Sequence, residues 1–230
     1  MSVAFDAISK LLALGGPVVL ILLVLSIIAL AAALLKLWQY TRVGRSNPDA
    51  LRRIVSAWAT GDAAGARTKV TVLSGPVAPI LSNAMNVLAA GADPVHVRED
   101  VERLAVRTLN SMRSGLRVLE VIAQTAPLLG LFGTVLGMIE AFRQLQAAGS
   151  QVDPAILAGG IWVALLTTAA GLAVAMPVSI ILAAFEARIA RENGIMDDVL
   201  TALFTGAPAE PGMVKVPAPA VPTEPGYAHG

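Results

Sequence analysis

Three long apolar runs dominate the pattern of hydrophobic and polar positions. They cover residues 17–35, 122–139 and 156–185, and none has an Asp, Glu, Lys, Arg or His in its interior. A bilayer core of about 30 Å is crossed by about 20 mainly apolar helical residues. Each run is therefore read as a membrane span, the third being long enough to project beyond the lipid. Trp38 and Tyr40 follow the first run as interfacial anchors. Ala29-Leu30-Ala31 imitates a signal-peptide cleavage site, but the apolar run continues past it through Leu34 and Leu35, so a retained span is expected.

Between and beyond the runs the pattern is helical. Asn47-Pro48, Asp93-Pro94 and Asp153-Pro154 each place a capping side chain before a proline at the first helical position. The first opens a helix over 48–60, closed by Gly61, with Leu51, Ile54, Val55 and Trp58 along one face. Gly75-Pro76 precedes a second helix over 77–90, stopped by Gly91. From Val101 an apolar stripe runs through Ala105, Leu109, Met112, Leu116, Leu119 and Ala123, so one continuous helix over 94–145 is predicted. The expected organisation is an N-terminal segment over 1–16, spans over 17–38, 122–142 and 156–185, and a helical region over 39–121. A short loop over 143–155, a helical extension over 186–205 and a Pro-rich disordered tail over 206–230 complete it. The fold class is an all-α integral membrane protein with three transmembrane helices, the second and third extended into a cytoplasmic helical bundle.

Charge placement sets the orientation. Most Lys and Arg residues, from Lys36 to Arg117, lie between the first and second spans, and Arg188, Arg191 and Lys215 follow the third. The positive-inside rule puts that region and the C-terminus in the cytoplasm, with the N-terminus and the loop near Gly149 outside. Composition agrees: hydrophobic residues make up 56% and charged residues 14%, against about 25% charged in soluble domains, and mean hydropathy is +0.71. Cysteine is absent and only His96 and His229 are present, which excludes thiol chemistry and argues against a metal site. No nucleophile, metal or phosphate-binding constellation marks an enzyme, no cofactor is expected, and a net charge of +1 gives no reason to expect nucleic acid.

Chemistry inside the spans is confined to small and hydroxyl side chains. Gly130, Gly133 and Gly137 share one side of the second span, which Pro127 bends; Gly160, Ala164, Thr168, Gly171 and Ala175 form a stripe on the third, which Pro177 bends. Such rows let membrane helices approach closely, and they are expected to support assembly, so that Gly133→Leu would weaken the oligomer or block entry of a partner helix. Thr134, Thr167 and Thr168 can bond back to their own helices, or they can line a mildly polar interior.

The stretches Thr125-Ala126-Pro127-Leu128-Leu129-Gly130-Leu131-Phe132-Gly133-Thr134-Val135-Leu136-Gly137 and Leu165-Leu166-Thr167-Thr168-Ala169-Ala170-Gly171-Leu172-Ala173-Val174-Ala175-Met176-Pro177 resemble the paired span signatures of the ExbB/TolQ/MotA proton-channel family. Three spans and a large helical loop match its ExbB and TolQ branches. The resemblance implies a homopentamer in the bacterial inner membrane. Its second and third spans would surround a pore holding single-span partners of the ExbD/TolR type, and proton entry would drive a TonB- or TolA-like protein. It also implies that Thr134 and Thr168, with Thr167 adjacent, line the proton route, which Pro127, Gly130, Gly133, Gly137, Gly171 and Pro177 shape. One position departs: the family's usual glutamate, five residues before the third-span threonine, is Val163 here. The partner's intramembrane aspartate would then be the titratable group within the spans. A non-conducting oligomeric scaffold of an envelope or secretion complex is the alternative.

Overall fold

A computed structural model describes residues 2–148 and 154–206, with side chains described over 16–147, 154–155 and 157–206. Among the described residues seven helices follow one another: α1 (Ser2–Val43), α2 (Pro48–Ala59), α3 (Ala63–Val70), α4 (Val77–Ala89), α5 (Pro94–Arg113), α6 (Leu116–Ala148) and α7 (Pro154–Thr205). Helices α1, α6 and α7 carry the stretches long and apolar enough to cross a membrane. Within α1, Gly16 departs from helical geometry (φ 63°, ψ −166°) and Pro17 restarts the helix. The spanning part of α1 thus begins where the first apolar run begins. Helix α7 has 52 residues, about 78 Å at 1.5 Å per residue, and so runs well past any bilayer core.

Two apolar clusters hold these helices together. A small one joins Val18 and Leu22 of α1 to Ala126 of α6 and Ala175 of α7. A much larger one runs from the ends of the spans, at Ala33, Ile122 and Val178, into the region beyond them, where Leu51, Val55, Leu81, Met85, Val101, Leu119, Met196 and Val199 are all buried. Along the spans themselves, Ile27, Leu30, Leu35, Leu128, Leu131, Leu165 and Ile180 stand exposed. In water that surface would drive association; in hydrocarbon it carries no penalty.

The predicted caps form. Asn47 accepts a hydrogen bond from the Ala50 N–H (3.2 Å) and Asp93 from the Val95 N–H (3.0 Å). Gly61, Gly75 and Gly91 all adopt positive φ. Asp153, the centre of the expected loop over 143–155, and the tail over 207–230 lie outside the described residues.

The single helix expected over 94–145 is a correction. It is two helices, broken at Ser114 (ψ 136°) and Gly115 (φ 79°). The apolar stripe crosses the break intact, with Leu109, Met112, Leu116 and Leu119 all buried. The last carbonyls of α5 lack intrahelical partners, and the buried Tyr40 hydroxyl donates to one of them, Met112 O, at 2.9 Å. Helix α3 is an element the hydrophobic pattern does not predict. It is short and polar, and Asp62 caps it by accepting from the Gly65 N–H at 2.9 Å.

Candidate functional site

The centre of the molecule is the antiparallel pair α6 and α7, whose small residues face one another in register. Gly137 lies against Ala164, and a Cβ at Gly137 would meet the Ala164 Cβ at 3.1 Å. One turn on, a Cβ at Gly160 would overlap the Ala141 methyl. Deeper in the spans, a Cβ at Gly133 would stand 2.6 Å from Thr167 Oγ1 and 2.7 Å from its Cβ. A Cβ at Gly130 would reach the Thr168 Cα at 3.1 Å, and one at Gly171 would come within 2.6 Å of Ala126 O. Backbones meet here where side chains would have to stand, so the seam is built within one chain.

The three threonines part company. Thr167 is 1% exposed and fills the space that Gly133 leaves. Its hydroxyl donates to Ala164 O at 2.7 Å and lies 3.3 Å from Gly130 O. Thr168 is half-buried beside it, and its hydroxyl donates to the same Gly130 O at 3.3 Å. Thr167 and Thr168 thus converge on one carbonyl. Thr134 instead turns back into its own helix, donating to Leu131 O at 2.6 Å, and sits half-buried next to the seam. Pro127 is half-buried within α6, and Pro177 is exposed on α7.

A hydroxyl whose proton is committed to a carbonyl still has lone pairs to accept with. All three threonines are in that state. They suit a neutral acid or a protonated water better than a bare carboxylate, and they contribute no titratable group.

Beside the seam, a cavity of about 660 Å³ opens between the Gly16–Val18 start of the first span, α6 and α7. Gly133, Thr167, Val163 and Glu140 all border it. Sequence reasoning uses Glu140 only as the end of an apolar run; its position on the cavity side of α6 is the signal that reading misses.

A second polar constellation lies where α7 leaves the spans, and sequence reasoning treats Arg188 only as a topological charge. Arg188 Nη2 donates to Tyr40 O (3.1 Å) and to Gly44 O, while its guanidinium stacks over the Tyr40 ring at 4.7 Å. One turn later Glu192, 2% exposed, accepts from the Ser46 N–H at 3.2 Å. Ser46 Oγ in turn accepts from the Val77 N–H at 3.4 Å, where α4 begins. A cation suits the carbonyl end of α1, so Arg188 caps that helix and Glu192 holds the turn that follows. Farther along, Arg52 of α2 and Asp198 of α7 pair at 2.8 Å.

Three uncharged apolar runs, a glycine–threonine seam and a helical bundle beyond them define a multi-pass membrane protein with a polar-lined helix pair. Residues 72–198 match the MotA/TolQ/ExbB proton channel family. An ExbB homolog of Methanothermobacter thermautotrophicus is 32% identical over 75% of this chain and 60% of its own length. An ExbB-like protein of Synechocystis is 35% identical over 70% of the chain and 64% of its own. The Tol-Pal system protein TolQ of Pseudomonas aeruginosa is 40% identical over 43% of the chain and 44% of its own. The chain belongs to the MotA/TolQ/ExbB proton channel family, and so to a family of transport proteins rather than enzymes. It spans about three fifths of the length of the two ExbB relatives.

Proposed function

We propose that this chain is a proton-channel subunit of biopolymer transport. It works in the bacterial inner membrane as a homopentamer around single-span ExbD/TolR-like partners and passes work to a TonB- or TolA-like protein. The observation that carries this reading is the α6–α7 seam, where Thr167 and Thr168 converge on Gly130 O inside the family-matched stretch. Charge crossing 100 mV releases about 2.3 kcal/mol per proton, so a few protons suffice for a conformational step. A carboxylate is costly at mid-membrane unless polar groups reach it. The threonine lone pairs would stabilise the loaded, neutral form of a partner's intramembrane aspartate, which the empty spans of this chain require.

The test is proton uptake into vesicles on co-expression with a partner that carries such an aspartate. Thr134→Val combined with Thr168→Val nearly preserves volume while removing both hydroxyls. Partner co-purification is expected to persist and gradient-driven uptake to be lost, with serine at both positions retaining part of it. Full uptake in the double valine variant would make both threonines packing residues. A complex that assembles but never conducts would favour the scaffold alternative.

Orientation has its own expected result. A reporter active only in the cytoplasm should work when fused after Ala90 and fail when fused after Gly149. The opposite pattern would invert the topology.

A further inference from the structure

We infer that Glu140 is the group through which protons enter this subunit, collected at the rim of the cavity between α1, α6 and α7; this rests on the channel reading above. The apolar runs over 17–35, 122–139 and 156–185 hold no ionisable side chain, so any proton passing along this chain needs an acceptor at their ends, where Glu140 closes the second. Glu140 borders the cavity, together with Gln144 one turn beyond, while the cavity walls contributed by the Gly16–Val18 segment and α7 carry no ionisable side chain. Its side chain is 49% exposed rather than packed against its neighbours. Arg143, 76% exposed, holds it at 3.3 Å, and the Gln144 side-chain amide donates to it at 3.1 Å. Neither neighbour can do the same work, because an amide does not titrate and a guanidinium does not release its proton.

The cavity supplies the way inward. It continues from Glu140 to Gly133 and Thr167, a distance of about 10 Å along α6 at 1.5 Å per residue. No single hydrogen bond covers that. About 660 Å³ leaves room for a chain of waters, each occupying about 30 Å³ in the liquid. Thr167 lines the inner end of the cavity; with its hydroxyl proton committed to Ala164 O, its lone pairs are what it has to offer a donor there. Val163 borders the same cavity from α7, at a level between the Gly160–Ala141 and Ala164–Gly137 contacts. A carboxylate placed there would open into the same space from the opposite wall.

As a surface ion pair alone, Glu140–Arg143 would matter little to stability or transport. The experiment compares proton uptake by vesicles holding the complex of this chain with its aspartate-bearing single-span partner. Glu140→Gln is expected to lower uptake at least tenfold with partner co-purification unchanged, and Glu140→Asp to keep most of it. Arg143→Gln breaks the same pair but keeps the carboxylate, so it should conduct. Glu140→Gln combined with Val163→Glu should recover uptake, because it restores an acid to the cavity. Uptake by Glu140→Gln equal to the parent overturns the inference and leaves the channel reading standing. So does loss in Arg143→Gln as complete as in Glu140→Gln, since the pair rather than the acid would then be needed. A parent complex that takes up no protons overturns the channel reading itself, and this inference with it.

Discussion

Gly133→Leu is expected to unpack α6 from α7 within a single chain. The first atom of any side chain there would stand 2.6–2.7 Å from Thr167, and Thr167 is 1% exposed with both nearby acceptors on the backbone. It has nowhere to move without breaking its bond to Ala164 O. Overpacking by a methylene or two costs about 1–3 kcal/mol, and leucine adds more than that against two backbones. A loss of about 3 kcal/mol in a chain of this size corresponds to a fall in melting temperature of roughly 6–12 °C. The control is Gly159→Leu, because nothing among the described residues lies within 4 Å of a Cβ at Gly159; its melting temperature should stay near the parent's. Sequence alone assigns the same glycine to contacts between subunits or with a partner. A Gly133→Leu protein that melts like the parent but loses oligomer mass would return it to that role.

The spans are legible in the sequence because hydrocarbon excludes charge, and an uncharged apolar run of about 20 residues matches the thickness of the bilayer core. The caps at Asn47 and Asp93 are legible because an acceptor before a proline at the first helical turn is a local device that needs no tertiary context. Helix α3 is not, since Ala63-Ala64-Gly65-Ala66-Arg67-Thr68 is short, lacks a large apolar side chain to mark a face and is interrupted by Gly65. Its place is fixed by Asp62 and by the burial of Ala66 and Val70. The break at Gly115 is hidden for the opposite reason: the stripe on both sides keeps its phase, so periodicity reports continuity where the backbone turns. Within the seam, composition marks Gly130, Gly133, Thr167 and Thr168 as candidates. Which glycine meets which threonine depends on the register of two antiparallel helices, and spacing along either one does not contain it. The Ser46–Glu192 bond joins residues 146 positions apart, beyond any local pattern.

That long-range bond is the basis of the second large effect. Arg188→Met keeps much of the side chain's bulk but leaves Tyr40 O and Gly44 O without their shared donor and removes the cation from the Tyr40 ring. Hydrogen bonds to charged groups contribute about 1.5–3 kcal/mol each, so a destabilisation of about 3 kcal/mol is expected. Glu192→Leu leaves the buried Ser46 N–H unpaired, at about 1–3 kcal/mol. The two should not add. Arg188 Nε and Glu192 Oε2 are both buried without a hydrogen-bond partner, one turn apart on α7, and the two side chains hold the same turn after α1. Removing the second after the first relieves an uncompensated buried charge. A double-mutant cycle on melting should therefore give a coupling of about 0.5–3 kcal/mol, with the double variant more stable than the sum of the singles. The location of the damage is a further readout. Ser46 lies between Gly44, where α1 has ended, and Val77, where α4 begins, so protease cleavage near residues 44–47 should rise in both single variants. Strict additivity with unchanged cleavage would mean that Arg188 and Glu192 act separately. In the coupled case, the two side chains form one joint through which movement of α7 in the membrane reaches the α2–α4 bundle outside it.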